Sequence, residues 1–259
     1  MAVSLNGSTQ YLAVGSDLGI SRPFAMACWF NVVNTTARHQ LMNFGYSSSD
    51  VEHWYLAARG DVAGDPIRLR QGTSGQSINV HTTGGYSANT WHHAAGLCVT
   101  ATDRRVLLDG GNKGTDSTNR PEPTLDLFAL GVLKGATVRG YAEGLIAEAA
   151  VWDLSGYPEA TDSDKADAWE TRVLPALAAG FSPAFFKLGL VAYWPLGGLR
   201  PDNGNDLVGG YDLAEYNAPG WEEHFSGMIY PEGPKIHVPG AGAPPAGNTP
   251  WHLMIGSAA

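Results

Sequence analysis

The sequence predicts an all-β protein, an antiparallel β-sandwich with one short helical segment and an extended C-terminal arm. Short runs of β-forming residues recur through about the first 155 positions, a spacing typical of sandwiches and barrels. Connectors rich in Gly, Asn, Ser and Asp, such as GYSSSD and DGGNKGTDSTN, separate these runs and favour turns. The predicted strands span residues 10–14, 24–33, 53–58, 67–71, 78–82, 91–100, 105–108, 125–131 and 145–152.

The helical segment is predicted from apolar residues that return every three or four positions. These residues are Ala166, Trp169, Val173 and Leu177, and the N-cap candidates are Thr161, Asp162 and Ser163. Pro175 cannot lie in an uninterrupted helix interior, so we expect a kink or two short helices there. Gly180 is a natural end point.

Four regions follow from these patterns. Residues 1–157 form the sandwich, 158–180 the helical segment, and 181–228 further strands that complete or flank the sandwich. Residues 229–259 are rich in Pro and Gly and cannot build a core, so we expect an extended arm that packs on another surface.

The composition excludes several classes of function. The chain has 259 residues, with 16 Lys and Arg against 25 Asp and Glu, a net charge of −9. No cluster of basic residues appears in the sequence, so no nucleic-acid partner is predicted. No apolar run approaches the ~18 residues of a membrane span, and the N-terminus lacks a signal-peptide pattern. We therefore expect a soluble protein made in a host cytoplasm.

Two pairs of residues, one of histidines and one of cysteines, are candidates for metal binding or for a disulfide. His92 and His93 are neighbours on a predicted strand, so their side chains point to opposite faces and cannot chelate one metal. We interpret both as parts of the scaffold.

Cys28 and Cys98 both lie in predicted strands, where buried free thiols are the simpler interpretation. A disulfide stays open if the two strands are neighbours.

Four blocks of sequence, in order, resemble laminin-G-like, concanavalin A-like jelly-roll domains. They are SLNGSTQYLAV, PFAMACWFNV, TWHHAAGLCVTATDRRVLLDGG and LFALGVLKGATVRGYAEGLIAEAAVWD. The resemblance implies the jelly-roll sandwich. The acidic pair of the family's Ile-Asp-Glu motif is reduced here, because Ala147 stands before Glu148. No family-type calcium site is therefore carried over, although the Asx-rich loops GDVAGD and DNGND leave calcium open elsewhere.

Catalytic constellations are not apparent, and we predict that the protein is not an enzyme. Glycoside hydrolysis needs two carboxylates that face each other across the scissile bond. The acidic residues nearest to this requirement are Glu143, Glu148 and Asp153, whose odd spacing places consecutive members on opposite faces of a regular strand. No cofactor is predicted.

The leading hypothesis is a structural virion protein, a phage capsid decoration or other exterior component. It depends on a looser resemblance of GFSPAFFKLGLVAYWPLGG and MIYPEGPKIHVP to C-terminal extensions of tailed-phage and prophage proteins. Partners would be neighbouring virion subunits in a homo-oligomer, contacted by apolar residues of the arm. These residues are Ile229, Tyr230, Ile236, Val238, Trp251, Leu253 and Ile255.

The first alternative is a carbohydrate-binding module on a phage tail or bacterial surface. Sugar sites on sandwiches use an aromatic side chain and a few polar groups. The candidate glycan contacts are His53, Trp54 and Tyr55, of which Trp54 and Tyr55 must face opposite ways on a strand. The second alternative is a divergent glucanase.

Overall fold

The computed structural model describes residues 2–196, 204–224 and 226–231. Two antiparallel sheets lie face to face, which confirms the predicted all-β sandwich, and two short helices cover part of one sheet. Neither helix in these described ranges has the length and apolar character of a bilayer span.

The strands are β1 (Ala2–Asn6), β2 (Tyr11–Val14), β3 (Phe24–Val32), β4 (Arg38–Tyr46), β5 (Ser49–Arg59), β6 (Pro66–Thr73), β7 (Gln76–Gly85), β8 (His92–Thr100), β9 (Asp103–Leu108), β10 (Gly111–Asp116), β11 (Leu127–Leu130), β12 (Leu133–Lys134), β13 (Val138–Arg139), β14 (Glu143–Asp153), β15 (Leu190–Trp194), β16 (Ala214–Tyr216) and β17 (Gly220–Glu222). The eight-stranded sheet has the order β10-β9-β8-β3-β14-β1-β17, with β15 also paired to β14. The seven-stranded sheet has the order β16-β2-β11-β4-β5-β6-β7. A small hairpin, β12–β13, stands apart from both sheets.

The core lies between the sheets and follows the alternation of the strands. On β3, Phe24, Met26 and Phe30 point into the core, while Ala25 and Ala27 lie on the outer face beneath the helices. Burial of each large apolar side chain contributes about 1.5–3 kcal/mol. Because both faces of β3 are covered, this strand is an almost continuous apolar run in the sequence.

The helices pack on the outer face of the eight-stranded sheet as α1 (Asp162–Arg172) and α2 (Leu174–Ala178). Thr161 caps α1, since its hydroxyl accepts from the Asp164 amide at 3.2 Å. The break between the helices falls at Val173, just before Pro175, as predicted. Trp169 anchors α1 by an edge-on contact with Trp152 of β14, with 5.3 Å between ring centroids.

Strands β1, β4, β10, β12 and β13 lie outside the predicted set. The pattern of β4 is obscured because His39, Gln40 and Asn43 are polar yet buried, and a bulge between Gln40 and Met42 interrupts the alternation. Residues 190–222 add β15 and β17 to one sheet and β16 to the other, so they pair directly with strands of the predicted sandwich region.

The histidine pair lies on opposite faces of β8, as expected. The His92 ring packs 5.8 Å from the ring of Phe30, and the His93 ring lies 5.4 Å from that of Trp29. His92 Nδ1 lies 2.7 Å from Asp109 Oδ2, while its Nε2 accepts from a backbone amide. Burial lowers the pKa of His93 to about 4, so its imidazole is neutral at pH 7.

The two cysteines are free and buried, and the structure rules out the disulfide left open above. Their strands are neighbours, but Cys28 pairs with Ala94 and Cys98 with Phe24. The thiols are therefore four residues apart along the strands, or about 13 Å, whereas a disulfide needs Cα atoms within about 7 Å.

We predict that neither thiol reacts with a colorimetric disulfide reagent in the folded protein, and that both react in denaturant. Burial raises the pKa of both thiols, which keeps them in the unreactive protonated form. Reagent titration with and without urea measures this. Rapid release of one equivalent of the reagent's chromophore by the native protein would show that one thiol is accessible, and would contradict the burial of both side chains.

Candidate functional site

A cleft with a volume of about 290 Å³ opens on the outer face of the seven-stranded sheet. Its walls come from β4, β5, β6 and β7 on one side and the β12–β13 hairpin on the other. Lining residues that carry polar atoms include Arg38, Asp50, His53, Arg70 and Arg139. Rigid strands hold most of these groups, which favours a site with little reorganisation on binding.

The alternation of β5 decides which of the three candidate glycan contacts reach this cleft. His53 and Tyr55 line it, whereas Trp54 is fully buried between the sheets. The indole of Trp54 packs edge-on against Phe24 at 6.0 Å and donates to Glu122 at 3.4 Å. Trp54 is therefore corrected from a candidate ligand contact to a core residue, because neighbours on a strand face opposite ways.

Tyr55 forms the floor of the cleft rather than an open platform. Its side chain is only 1% exposed, and the Arg68 guanidinium lies 5.1 Å from the ring centroid. Arg68 also donates a hydrogen bond to the Tyr55 hydroxyl. The Arg70 guanidinium lies 5.9 Å from the same ring. Two cations thus hold the tyrosine in place by cation–π contacts.

The β12–β13 hairpin is fastened over the sheet by polar contacts. Asn43 Nδ2 donates to the Lys134 carbonyl at 2.8 Å, and the Thr137 amide and hydroxyl each donate to Asp50 at 2.8 Å. Arg139 forms an ion pair with Asp50, also at 2.8 Å. The hydrogen bonds from Thr137, followed by those from Arg139, lower the pKa of Asp50 to about 2. Both carboxylate oxygens are therefore engaged by protein groups.

His53 is a neutral group in the cleft at pH 7. Burial, followed by the charges of Arg70 and Arg139, lowers its pKa to about 4. Its Nε2 has no hydrogen-bond partner among the described residues. Gly72 of β6 leaves room for this ring, since a Cβ there would lie 2.6 Å from the same nitrogen.

The carboxylates of β14 lie away from this cleft. A bulge in the pairing of β14 with β3 falls between Ala147 and Ala150, and Glu148 has the unusual φ of +52° within it. The neighbour of β14 changes at this point from β1 to β15. Glu148 is 2% exposed and accepts hydrogen bonds from the hydroxyls of Tyr193 at 2.5 Å and Tyr230 at 2.7 Å.

The described start of the predicted arm packs on its own chain. Ile229 forms a parallel bridge with Phe181 and remains 44% exposed, whereas Tyr230 bonds to Glu148. The prediction that Tyr230 contacts a neighbouring subunit is therefore corrected, because its side chain is part of the fold of its own chain. The other predicted arm contacts lie outside the described residues: Ile236, Val238, Trp251, Leu253 and Ile255. The virion role predicted from the arm stays a prediction.

Within the described ranges, no group of three or more His, Cys, Asp or Glu side chains is arranged to hold a metal ion. Asp61 of the GDVAGD loop pairs with Arg59. Asp206 of the DNGND loop accepts from the backbone amides of Tyr193, Val208, Gly209 and Tyr211, as expected for a turn-forming residue.

The two antiparallel sheets, packed face to face, place the protein in the class of jelly-roll β-sandwich proteins. The chain belongs to the concanavalin A-like lectin/glucanases superfamily, whose laminin-G-type family profile matches residues 6–156. A search of curated protein sequences finds no match.

Solved structures share the fold at low sequence identity. A candidate carbohydrate-binding protein from Bacteroides ovatus matches with a TM-score of 0.56 and 16% identity over 88% of this chain. This chain covers 61% of that protein's length. The heptameric SAP-like pentraxin from Limulus polyphemus matches with a TM-score of 0.50 and 12% identity, over 64% of this chain and 80% of its own.

Proposed function

We propose that this protein is a non-enzymatic carbohydrate-binding module and that the cleft over β5 and β6 is its binding site. The observation that carries the proposal is a preformed cleft whose polar groups are incompletely satisfied. His53 Nε2 and Arg70 Nε are buried and have no hydrogen-bond partner among the described residues. A buried donor or acceptor without a partner costs about 1–3 kcal/mol, and a hydrogen bond to a ligand hydroxyl would offset that cost once a small side-chain rotation turns the atom toward the cleft.

Two further features support binding over hydrolysis. Among the described residues that line the cleft, Asp50 is the single carboxylate, whereas both common glycosidase mechanisms use two. Asp50 is also fully engaged by Thr137 and Arg139. The fold shared with the Bacteroides ovatus protein supports the proposal by analogy only.

We predict that Ser77→Trp weakens glycan binding at least tenfold and leaves the melting temperature unchanged. Ser77 is an exposed residue of β7 that lines the cleft, so an indole there fills the space a sugar would take. Thr83→Trp is the matched control, since Thr83 is exposed on the same strand and does not line the cleft. A glycan array followed by calorimetry on the best ligand measures the effect. No binding to any glycan, or equal binding by both variants, would refute the proposal.

A further inference from the structure

The aromatic surface of the cleft is closed to a sugar ring. Binding sites for small molecules are mostly lined by apolar and aromatic side chains, with a few polar groups that set orientation. In this cleft the two aromatic side chains, His53 and Tyr55, are 4% and 1% exposed. Arg68 and Arg70 further cover the ring of Tyr55. Recognition here must therefore come from polar and charged groups.

The charged groups of the cleft are mainly positive. Among the described lining residues, Arg38, Arg70 and Arg139 carry positive charge and Asp50 carries the one negative charge, while His53 is neutral at pH 7. These groups sum to a charge of +2 in a protein whose formal net charge is −9. A positive cleft in an acidic molecule concentrates anions locally while the rest of the surface repels them.

Two of these arginines make no direct ion pair among the described residues, although Asp61, which is paired with Arg59, lies close enough to Arg38 for the two charges to interact. Within the described part of the chain, Arg38 and Arg70 form no ion pair with a carboxylate, whereas Arg139 is held by Asp50. Arg70 Nε is a buried donor that finds no hydrogen-bond partner in the part of the chain that the structure describes. A guanidinium presents a planar fork of donors that fits a carboxylate or sulfate group with two parallel hydrogen bonds.

We infer that the ligand of this cleft is an anionic glycan whose carboxylate or sulfate group binds between Arg38 and Arg70. This inference rests on the proposed function and narrows its substrate class. The sugar hydroxyls would then meet the remaining polar lining, including Gln76 and Ser77. Binding removes water from the two guanidinium groups, which costs free energy. The ion pairs that both groups then form with the anion offset this cost.

Matched oligosaccharides test the class of ligand. Uronic-acid oligosaccharides are compared with their methyl-esterified forms, and sulfated glycosaminoglycan fragments with desulfated ones, in calorimetric titrations of the full chain. We expect at least one acidic form to bind tenfold or more tightly than its neutral counterpart. The preference should shrink as NaCl is raised from 50 to about 500 mM, since salt screens ion pairs.

Charge-removing variants locate the site. Arg70→Gln and Arg38→Gln are each expected to lower the affinity for the acidic ligand at least tenfold and the affinity for the neutral form less than twofold. Arg172→Gln is the matched control, because it removes the same charge from an exposed residue of α1, on the opposite sheet. Circular dichroism melting checks that all three variants fold, and either cleft variant alone is sufficient for the test.

The outcomes separate this inference from the proposed function. Equal affinity for acidic and neutral forms would overturn the anionic class and leave carbohydrate binding standing. If both cleft variants bind the acidic ligand as tightly as the wild type does, the assignment of the site to Arg38 and Arg70 is overturned. Binding of a single-stranded DNA oligonucleotide as tight as that of the acidic glycan would show recognition of charge without sugar, and would also overturn it. Absence of binding to every glycan would remove the proposed function itself.

Discussion

Replacement of Trp54 by alanine is expected to lower the free energy of unfolding by about 3–5 kcal/mol, the cost typical of a large aromatic removed from a core. Trp54 is fully buried, packs edge-on against Phe24, and lies 5.9 Å beneath the Arg104 guanidinium. The indole therefore lies between the apolar core and the buried Arg104 side chain. Arg104 Nε in turn donates a hydrogen bond to Gln71 Oε1 at 2.6 Å. Urea unfolding followed by fluorescence and circular dichroism measures the loss.

Two variants act as controls for Trp54→Ala. Trp54→Phe retains most of the apolar volume and is expected to lose clearly less stability. Trp221→Ala removes the same side chain from a half-buried position on the edge strand β17, and is expected to cost less than half as much. A Trp54→Ala protein of unchanged stability that no longer binds glycan would show that the indole faces the ligand, contrary to the strand alternation described above.

Glu148 is expected to make the folded protein less stable as the pH rises from about 4.5 to 7. Burial raises the pKa of Glu148 from 4.5 to about 7, although the hydroxyls of Tyr193 and Tyr230 oppose the shift. Between these pH values the folded state holds a proton that the unfolded state has released, so unfolding is favoured as protons become scarce. A shift of this size corresponds to a change on the order of 3 kcal/mol.

The comparison of wild type with Glu148→Gln isolates this effect. The amide cannot ionise, so the stability of the variant relative to wild type should increase across this pH range by the same amount. His93 has a lowered pKa and acts in the opposite direction, but it is present in both proteins and cancels. His224 is an ionisable side chain next to this carboxylate, with its Nε2 3.9 Å from Glu148 Oε1, and it is unchanged in the variant.

Urea unfolding at half-unit pH steps gives the difference curve for Glu148→Gln. Tyr230→Phe is a useful partner variant, because it removes one hydrogen bond that favours the ionised carboxylate and should steepen the decline with pH. A difference between wild type and Glu148→Gln that does not change with pH would show that Glu148 is ionised in the fold.

Part of the candidate site was predictable from local pattern alone. A strand at 53–58 implies that Trp54 and Tyr55 face opposite ways, and the structure places Trp54 in the core and Tyr55 beneath the cleft. Which of the two faced inward was not predictable, because both are large aromatics and either satisfies the core. The partner strands decide it: Leu56 and Leu69 share the inner face with Trp54.

The sequence by itself determined the all-β class, most strands of the sandwich, the capped helix broken near Pro175, and the opposite orientations of His92 and His93. These features depend on residue type and on periods of two or 3.6 residues, which are local. Only the tertiary structure decided that Arg38, Arg70 and Arg139 meet in one cleft. Residues so far apart in the chain become neighbours through strand register and the placement of a hairpin, and both are set by hydrogen bonds between distant segments.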